Sequence, residues 1–169
     1  MLTELKSSVS GIDAAAFREA MSHFAAAVNL VTTDGPAGRR GVTVTSVCAV
    51  SDQPATILVC LNRASAANQL FEANGVFAVN VLADRNEAVA RVFAGEGKLD
   101  ATERFASARW VRLQTGAPIL ADALIGFDCR LVEARTVATH QVMIGEVVGL
   151  AEPQAGGSLL YRSRGYHAL

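Results

Sequence analysis

Two long β-patterned runs, Leu124 to Val137 and Val142 to Leu150, stand with only residues 138–141 between them, and this constrains the fold more than any other feature. Runs of this length at this spacing pair as an antiparallel hairpin. Shorter runs upstream supply its neighbours. Asn29–Thr33 and Val42–Val50 flank the turn signal Asp34-Gly35-Pro36-Ala37-Gly38 and predict a second hairpin. Thr56–Leu61 follows a turn at Ser51-Asp52-Gln53-Pro54, Val76–Leu82 is a buried strand, and Leu159-Leu160-Tyr161 is a final one.

Three helical patterns interrupt these strands. Asp13 caps a helix with Phe17, Met21 and Phe24 on one face, ending near Val28. Ala64–Ala73 stops at Asn74-Gly75, a pair suited to a left-handed cap. Asp84-Arg85-Asn86-Glu87 opens a helix carrying Val89, Val92 and Phe93 and ending at Gly95. Residues 96–118 read as mixed and loop-rich. The expected class is mainly β, a barrel with peripheral helices, with residues 1–12 a flexible lead-in and 13–169 one domain.

At 169 residues the chain buries about 70% of its unfolded surface on folding and needs no disulfide. A net charge of −1 leaves no basic stripe for nucleic acid, and Arg39-Arg40 is an isolated pair. Cys48, Cys60 and Cys129 are odd in number, lack CxxC spacing and sit in apolar runs, which predicts buried, reduced thiols in the cytoplasm. No apolar run approaches the roughly 20 residues of a membrane span, and the start of the chain has no secretory pattern. His23, His140 and His167 have no metal-ligand spacing, so no metal site is expected. The 51% hydrophobic content exceeds what one small barrel hides and predicts a homodimer.

A ligand site is legible between Gly41 and Ser65. Val42, Thr43, Val44, Thr45 and Ser46 alternate apolar with hydroxyl side chains, as in a strand with one polar face. The next strand ends in Asn62-Arg63-Ala64-Ser65 just before a helical pattern, and a helix start with Arg63 and Ser65 beside it is a seat for a phosphate. The same residues also suit plain strand packing and capping. The Gly-Pro-Ala-Gly-Arg-Arg-Gly loop at 35–41 joins two strands with no helix after it, so it is no Rossmann or Walker loop.

The order of blocks FREAMSHFAAAVNLVTTDGPAGRRGVTVTSVCAVSDQPATILVCLNR, GVFAVNVL, AVARVFAG, RFASARW, TGAPIL, FDCRL, TH and YHAL resembles the short-chain flavin reductases. The likeness runs from about Asp13 to Leu169. It is strongest to reductase components of two-component flavin monooxygenases, the group that includes the 4-hydroxyphenylacetate 3-monooxygenase reductase and the flavin reductase of pyrimidine utilisation. It implies a split β-barrel, a homodimer binding FMN or FAD at its interface, and reduction by NADH or NADPH for a partner oxygenase. By the same resemblance, Thr43, Val44, Thr45 and Ser46 cradle the ring, and Cys60, Leu61 and Asn62 line its edge. Ser65, Ala66 and Ala67 receive the phosphate, while Arg91 and Phe93 approach from the side, although Val92 separates them here. His140 is the implied catalytic residue beside the nicotinamide, with Ala138-Thr139 in place of the family's usual Gly-Asp; Arg39 to Thr43 flank it. Tyr166-His167 closes over the flavin or packs as a terminal strand. Hydride transfer asks for stacked rings in a dry slot and no acid or nucleophile. Two alternatives remain open on sequence: electrons passed to a metal centre such as a cobalt corrinoid or ferric chelate, and a flavin-binding protein without catalysis.

Overall fold

The computed structural model describes residues 11–169, so the expected lead-in lies outside the described residues except for Gly11 and Ile12. In chain order the elements are α1 (Ala14–Met21), β1 (Ala26–Ala27), β2 (Asn29–Thr33), β3 (Arg40–Val44), β4 (Val47–Asp52), β5 (Ala55–Asn62), α2 (Gln69–Asn74), β6 (Val76–Val81), α3 (Glu87–Ala94), α4 (Ala101–Ala106), β7 (Trp110–Arg112), β8 (Pro118–Leu120), β9 (Ile125–Val137), β10 (His140–Leu150), β11 (Leu159–Arg162) and β12 (Gly165–Ala168). Short 3₁₀ turns precede α2 and α3.

Seven strands form one sheet in the order β3-β2-β6-β9-β10-β5-β4, and every neighbouring pair is antiparallel. Its two outer strands, β3 and β4, are joined by Thr45 and Ser46 alone. At roughly 3.5 Å per residue this link reaches only about 10 Å, so the sheet must curl until its edges meet. The link is itself tied down: Val47 N–H donates to Thr45 C=O at 2.9 Å, and Cys60 N–H to Ser46 C=O at 3.0 Å. The result is the split barrel that the sequence suggested.

Alternating side chains fill the inside of the curl. Val31, Val59, Phe77, Val79 and Met143 are fully buried there with Phe71 of α2, each contributing about 1.5–3 kcal/mol. The opposite face of β2 and β6 is covered too. Leu30 and Leu82 pack with Phe93 of α3 and Phe105 of α4, which is why β2 is buried along its whole length. Gly41 permits this layer to close, because a Cβ there would stand 2.5 Å from the Phe93 ring.

Several expectations are corrected. The first helix stops at Met21 instead of near Val28, because Ala26-Ala27 pairs with β11. Its supposed core face is open, with Phe17 58% and Phe24 66% exposed. The run Val42–Val50 is broken at Thr45-Ser46, and β4 pairs with β5. Residues 96–118 hold α4, set by a reciprocal capping box: Asp100 Oδ1 accepts from Glu103 N–H at 2.8 Å and Glu103 Oε2 from Asp100 N–H at 2.9 Å. A twelfth strand extends β11 into a C-terminal hairpin. The thiols are free, as expected, but only Cys129 is buried; Cys48 is exposed and Cys60 half-buried. No helix among the described residues is long and apolar enough to cross a membrane, and no cluster among them would hold a metal ion.

Candidate functional site

A cavity of about 800 Å³ opens where the two sheet edges meet, within the range of roughly 300–1,000 Å³ typical of small-molecule sites. β3 and the Thr45-Ser46 link form one wall, the end of β5 from Cys60 to Asn62 with Ser65 forms another, and His140 stands at the rim. The C-terminal hairpin closes a further side with Tyr161, Arg164 and Tyr166.

The predicted residues do not all contribute in the same way. Val42 and Val44 turn inward and pack on the barrel core, while the Thr43 hydroxyl is committed to the Ala90 carbonyl of α3 at 2.7 Å. Thr45 and Ser46 are exposed to the cavity, and neither side-chain hydroxyl has a hydrogen-bond partner among the described residues. Asn62 uses its side chain locally, accepting from Ala64 N–H at 2.8 Å, and its carbonyl accepts from Asn68 Nδ2 at 2.8 Å. The wall there is therefore presented by the strand end itself. His140 lies directly across from Asn62 in the β10–β5 register, with Nδ1 held 2.9 Å from the Thr139 hydroxyl. That contact leaves Nε2 without a protein partner among the described residues.

Three predicted residues are not in the cavity wall. Phe93 is 2% exposed and stacked edge-on against Phe105 and Trp110, so it supports β3 from behind. Ala66 and Ala67 begin the 3₁₀ turn but do not line the cavity. Arg91 does line it, yet its guanidinium is engaged by Glu87 at 2.7 Å and Glu96 at 2.9 Å, which raise its pKa, and it stacks on Tyr166. With its charge matched, Arg91 is part of the frame. Arg63 lines a separate cavity of about 480 Å³ beside α2, which Ser65 also borders, and does not reach the 800 Å³ cavity.

The cation at the expected phosphate seat is Arg40. Its Nη2 donates to Ser65 Oγ at 3.2 Å and its Nε to Asn68 Oδ1 at 3.1 Å, both neutral acceptors. It has no carboxylate partner among the described residues. Burial, followed by the nearby Arg104 charge, lowers its pKa from the usual 12.5. A half-buried guanidinium anchored by neutral groups favours an anionic ligand electrostatically. Arg39 beside it is different, since Asp34 binds it at 3.1 Å.

Residues 21–169 match the model of the flavin reductase-like domain. The chain belongs to the flavin reductase-like family. An FMN reductase (NADH) of Methylorubrum extorquens, RutF 2, is 52% identical over 98% of this chain and 95% of its own. Among solved structures, the flavin reductase component of a bacterial two-component tryptophan halogenase is 30% identical, covering 93% of this chain and 98% of its own at a TM-score of 0.85. The Streptomyces globisporus NADH:FAD oxidoreductase, solved with NAD and FAD fragments, is 28% identical over 92% of each chain at a TM-score of 0.82.

Within this family member, the contributions missed from sequence come from Arg40, read there as a loop or nicotinamide-side arginine, and from Tyr161 and Arg164 of the C-terminal hairpin, of which only Tyr166-His167 was singled out. The hairpin turn places Ser163 at φ 49° and Arg164 at φ 60°, a left-handed turn without the Asn-Gly pair that normally announces one. Tyr166 reaches the cavity, whereas His167 turns away to the Arg162 carbonyl at 3.1 Å.

Proposed function

We propose that this chain is an NADH-dependent flavin reductase that takes FMN, or FAD, as the hydride acceptor and releases reduced flavin to a partner oxygenase. The observation that carries the proposal is Arg40, a half-buried cation with only neutral partners on the wall of a flavin-sized cavity. Family membership supplies the reaction class, and relatives named as FMN reductases (NADH) support the choice of flavin and donor.

The residues present fit a flavin. Arg40 and Ser65 would hold its phosphate, and the Thr45 and Ser46 hydroxyls, together with the strand end Cys60–Asn62, would meet the polar edge of its ring. When bound, the flavin supplies the ring that accepts a hydride from the nicotinamide. The chain's own part is placement and exclusion of water. His140 Nε2 is available to orient the nicotinamide carboxamide, its ring fixed by Thr139. Tyr161 and Tyr166, whose rings meet at 5.2 Å, would form a hydrophobic side wall. Burial raises the Tyr166 pKa, so the Tyr166 phenol stays uncharged across the neutral range.

The functional unit is proposed to be a homodimer of one 13–169 domain in the cytoplasm. The exposed Phe17, Met21 and Phe24 and the outward Val50 on edge strand β4 support a second copy as the occupant of these faces, and the unpaired thiols suit a reducing compartment. Light scattering after size exclusion tests the dimer. The reaction is tested by anaerobic NADH oxidation with FMN: bleaching of the flavin in proportion to NADH consumed supports the proposal, and flavin that binds but stays oxidised refutes it.

A further inference from the structure

The cavity wall formed by the C-terminal hairpin is held firmly at its base and lightly at its tip. At the base, Ala26-Ala27 of β1 pairs with Leu160-Tyr161, and Leu159 is bonded through its backbone to Val28 and Leu82. Towards the tip, Tyr161 to Arg164 are all exposed. The turn itself is held by α1: Ser163 N–H donates to the Ser22 carbonyl at 2.7 Å, and Arg164 Nη2 binds Glu19 Oε2 at 2.6 Å. Just behind it, Tyr166 stacks on the Arg91 guanidinium at 4.8 Å.

Two features make this attachment easy to undo. Arg164 and Glu19 are 63% and 58% exposed, so water and salt compete for both charges. Ser163 and Arg164 also hold left-handed φ values of 49° and 60°, which residues with a Cβ tolerate poorly. Such a conformation persists where neighbouring contacts enforce it, and the enforcing contacts here are those to α1. No residue of α1 is buried. At about 3.6 residues per turn, Glu19 lies on the face of α1 opposite Phe17 and Met21, so a second copy seated on that apolar face leaves the ion pair free. Arg164, Gly165 and Tyr166 all line the cavity, and displacement of the tip widens its mouth.

We propose that the hairpin tip is a gate to the flavin cavity, latched by the Arg164–Glu19 pair, whose opening admits flavin and lets reduced flavin leave. The proposal rests on the reductase reading above and adds the route by which its diffusible product is released. A tip with few buried contacts opens without disturbing the core, and such steps set the rate of product release in many enzymes. A latch made equally in the empty and the filled site governs entry and exit together and leaves affinity alone.

Stopped-flow exchange of riboflavin tests this, because riboflavin carries no phosphate and altered charges at the gate do not act on it. Glu19→Gln keeps a good helix former and removes the pair. Loss of an exposed pair corresponds to about a two- to fivefold change, so association and dissociation should both quicken by about two- to fivefold with the dissociation constant unchanged. Glu19→Arg should quicken both further, and Glu19→Arg combined with Arg164→Glu should return both towards the wild-type rates. In the wild type, added salt should quicken both rates as well. Faster dissociation with unchanged association overturns the gate and leaves a plain wall contact; rates that respond neither to Glu19→Gln nor to salt overturn it too. Failure of the wild type to bind riboflavin or FMN overturns the reductase reading and the gate with it, whereas normal binding with unaltered exchange overturns the gate alone.

Discussion

Replacing Arg40 with Gln keeps a long polar side chain but removes the charge that distinguishes this wall of the cavity. A hydrogen bond to a charged group contributes about 1.5–3 kcal/mol. Only one edge of the guanidinium is engaged by Ser65 and Asn68, leaving the rest for a phosphate, so a loss near 2 kcal/mol is expected, or about 30-fold in affinity. Protein stability should change far less. The Ser65 hydroxyl loses a donor, but removing one of two like charges relieves the repulsion with Arg104, and the two effects oppose each other within about 1 kcal/mol. The assay is fluorescence titration of FMN and of riboflavin, which has the same ring and no phosphate. Wild type should bind FMN about 30-fold more tightly than riboflavin, and Arg40→Gln should erase that preference by weakening FMN alone. An FMN-to-riboflavin ratio untouched by the substitution would refute the phosphate seat.

Other consequences follow from the packing and the charges. Gly41→Ala sets a Cβ 2.5 Å from the buried Phe93 ring, and overpacking of this kind should cost about 1–3 kcal/mol, read as a melting temperature lower by roughly 2–10 °C. Burial pushes Asp34 upward, but the hydrogen bonds and charges of Arg112 and Arg39 outweigh it and hold the carboxyl below its usual 3.8. A depressed folded-state pKa adds stability above 3.8 that disappears as pH falls through the folded value; urea melts should show Asp34→Asn less stable than wild type by about 1 kcal/mol at pH 6, with the gap closing in acid. A thiol reagent should leave Cys129, buried and pushed up to about 12 chiefly by desolvation, unlabelled in the native protein and react with it only on unfolding.

The barrel was legible in sequence because its signals were local. The β9–β10 hairpin, the 34–38 turn and the glycine caps at Gly75 and Gly95, with φ 66° and 109°, all lie within a few residues of the elements they delimit. The break at Thr45-Ser46 was not legible, since the alternation of Val42–Ser46 runs straight into the apolar residues of β4; only closure of the sheet, which makes β3 one edge and β4 the other, sets the break there. Asp100 and Glu103 had the spacing of a capping box and marked α4, a signal that the surrounding mixed composition obscured. For the site, the hydroxyl link, the β5 end and His140, apart in sequence, come together around one cavity. Choosing Arg63 over Arg40 followed from sequence adjacency to Ser65, whereas the structure brings Arg40 across 25 residues to the same hydroxyl. Phe93 was expected beside the ring from the resemblance alone, and the sequence does not show that its helix turns it onto Phe105 and Trp110 instead.

The central claim, that this cavity joins NADH to a flavin, is tested most directly by a stopped-flow experiment without oxygen: wild-type protein and FMN are mixed with NADH and followed at the flavin's visible absorbance. Full bleaching over many turnovers is expected, with His140→Ala slowing the bleaching while FMN still binds. Flavin that stays yellow in the wild type, with NADH unconsumed, would contradict it.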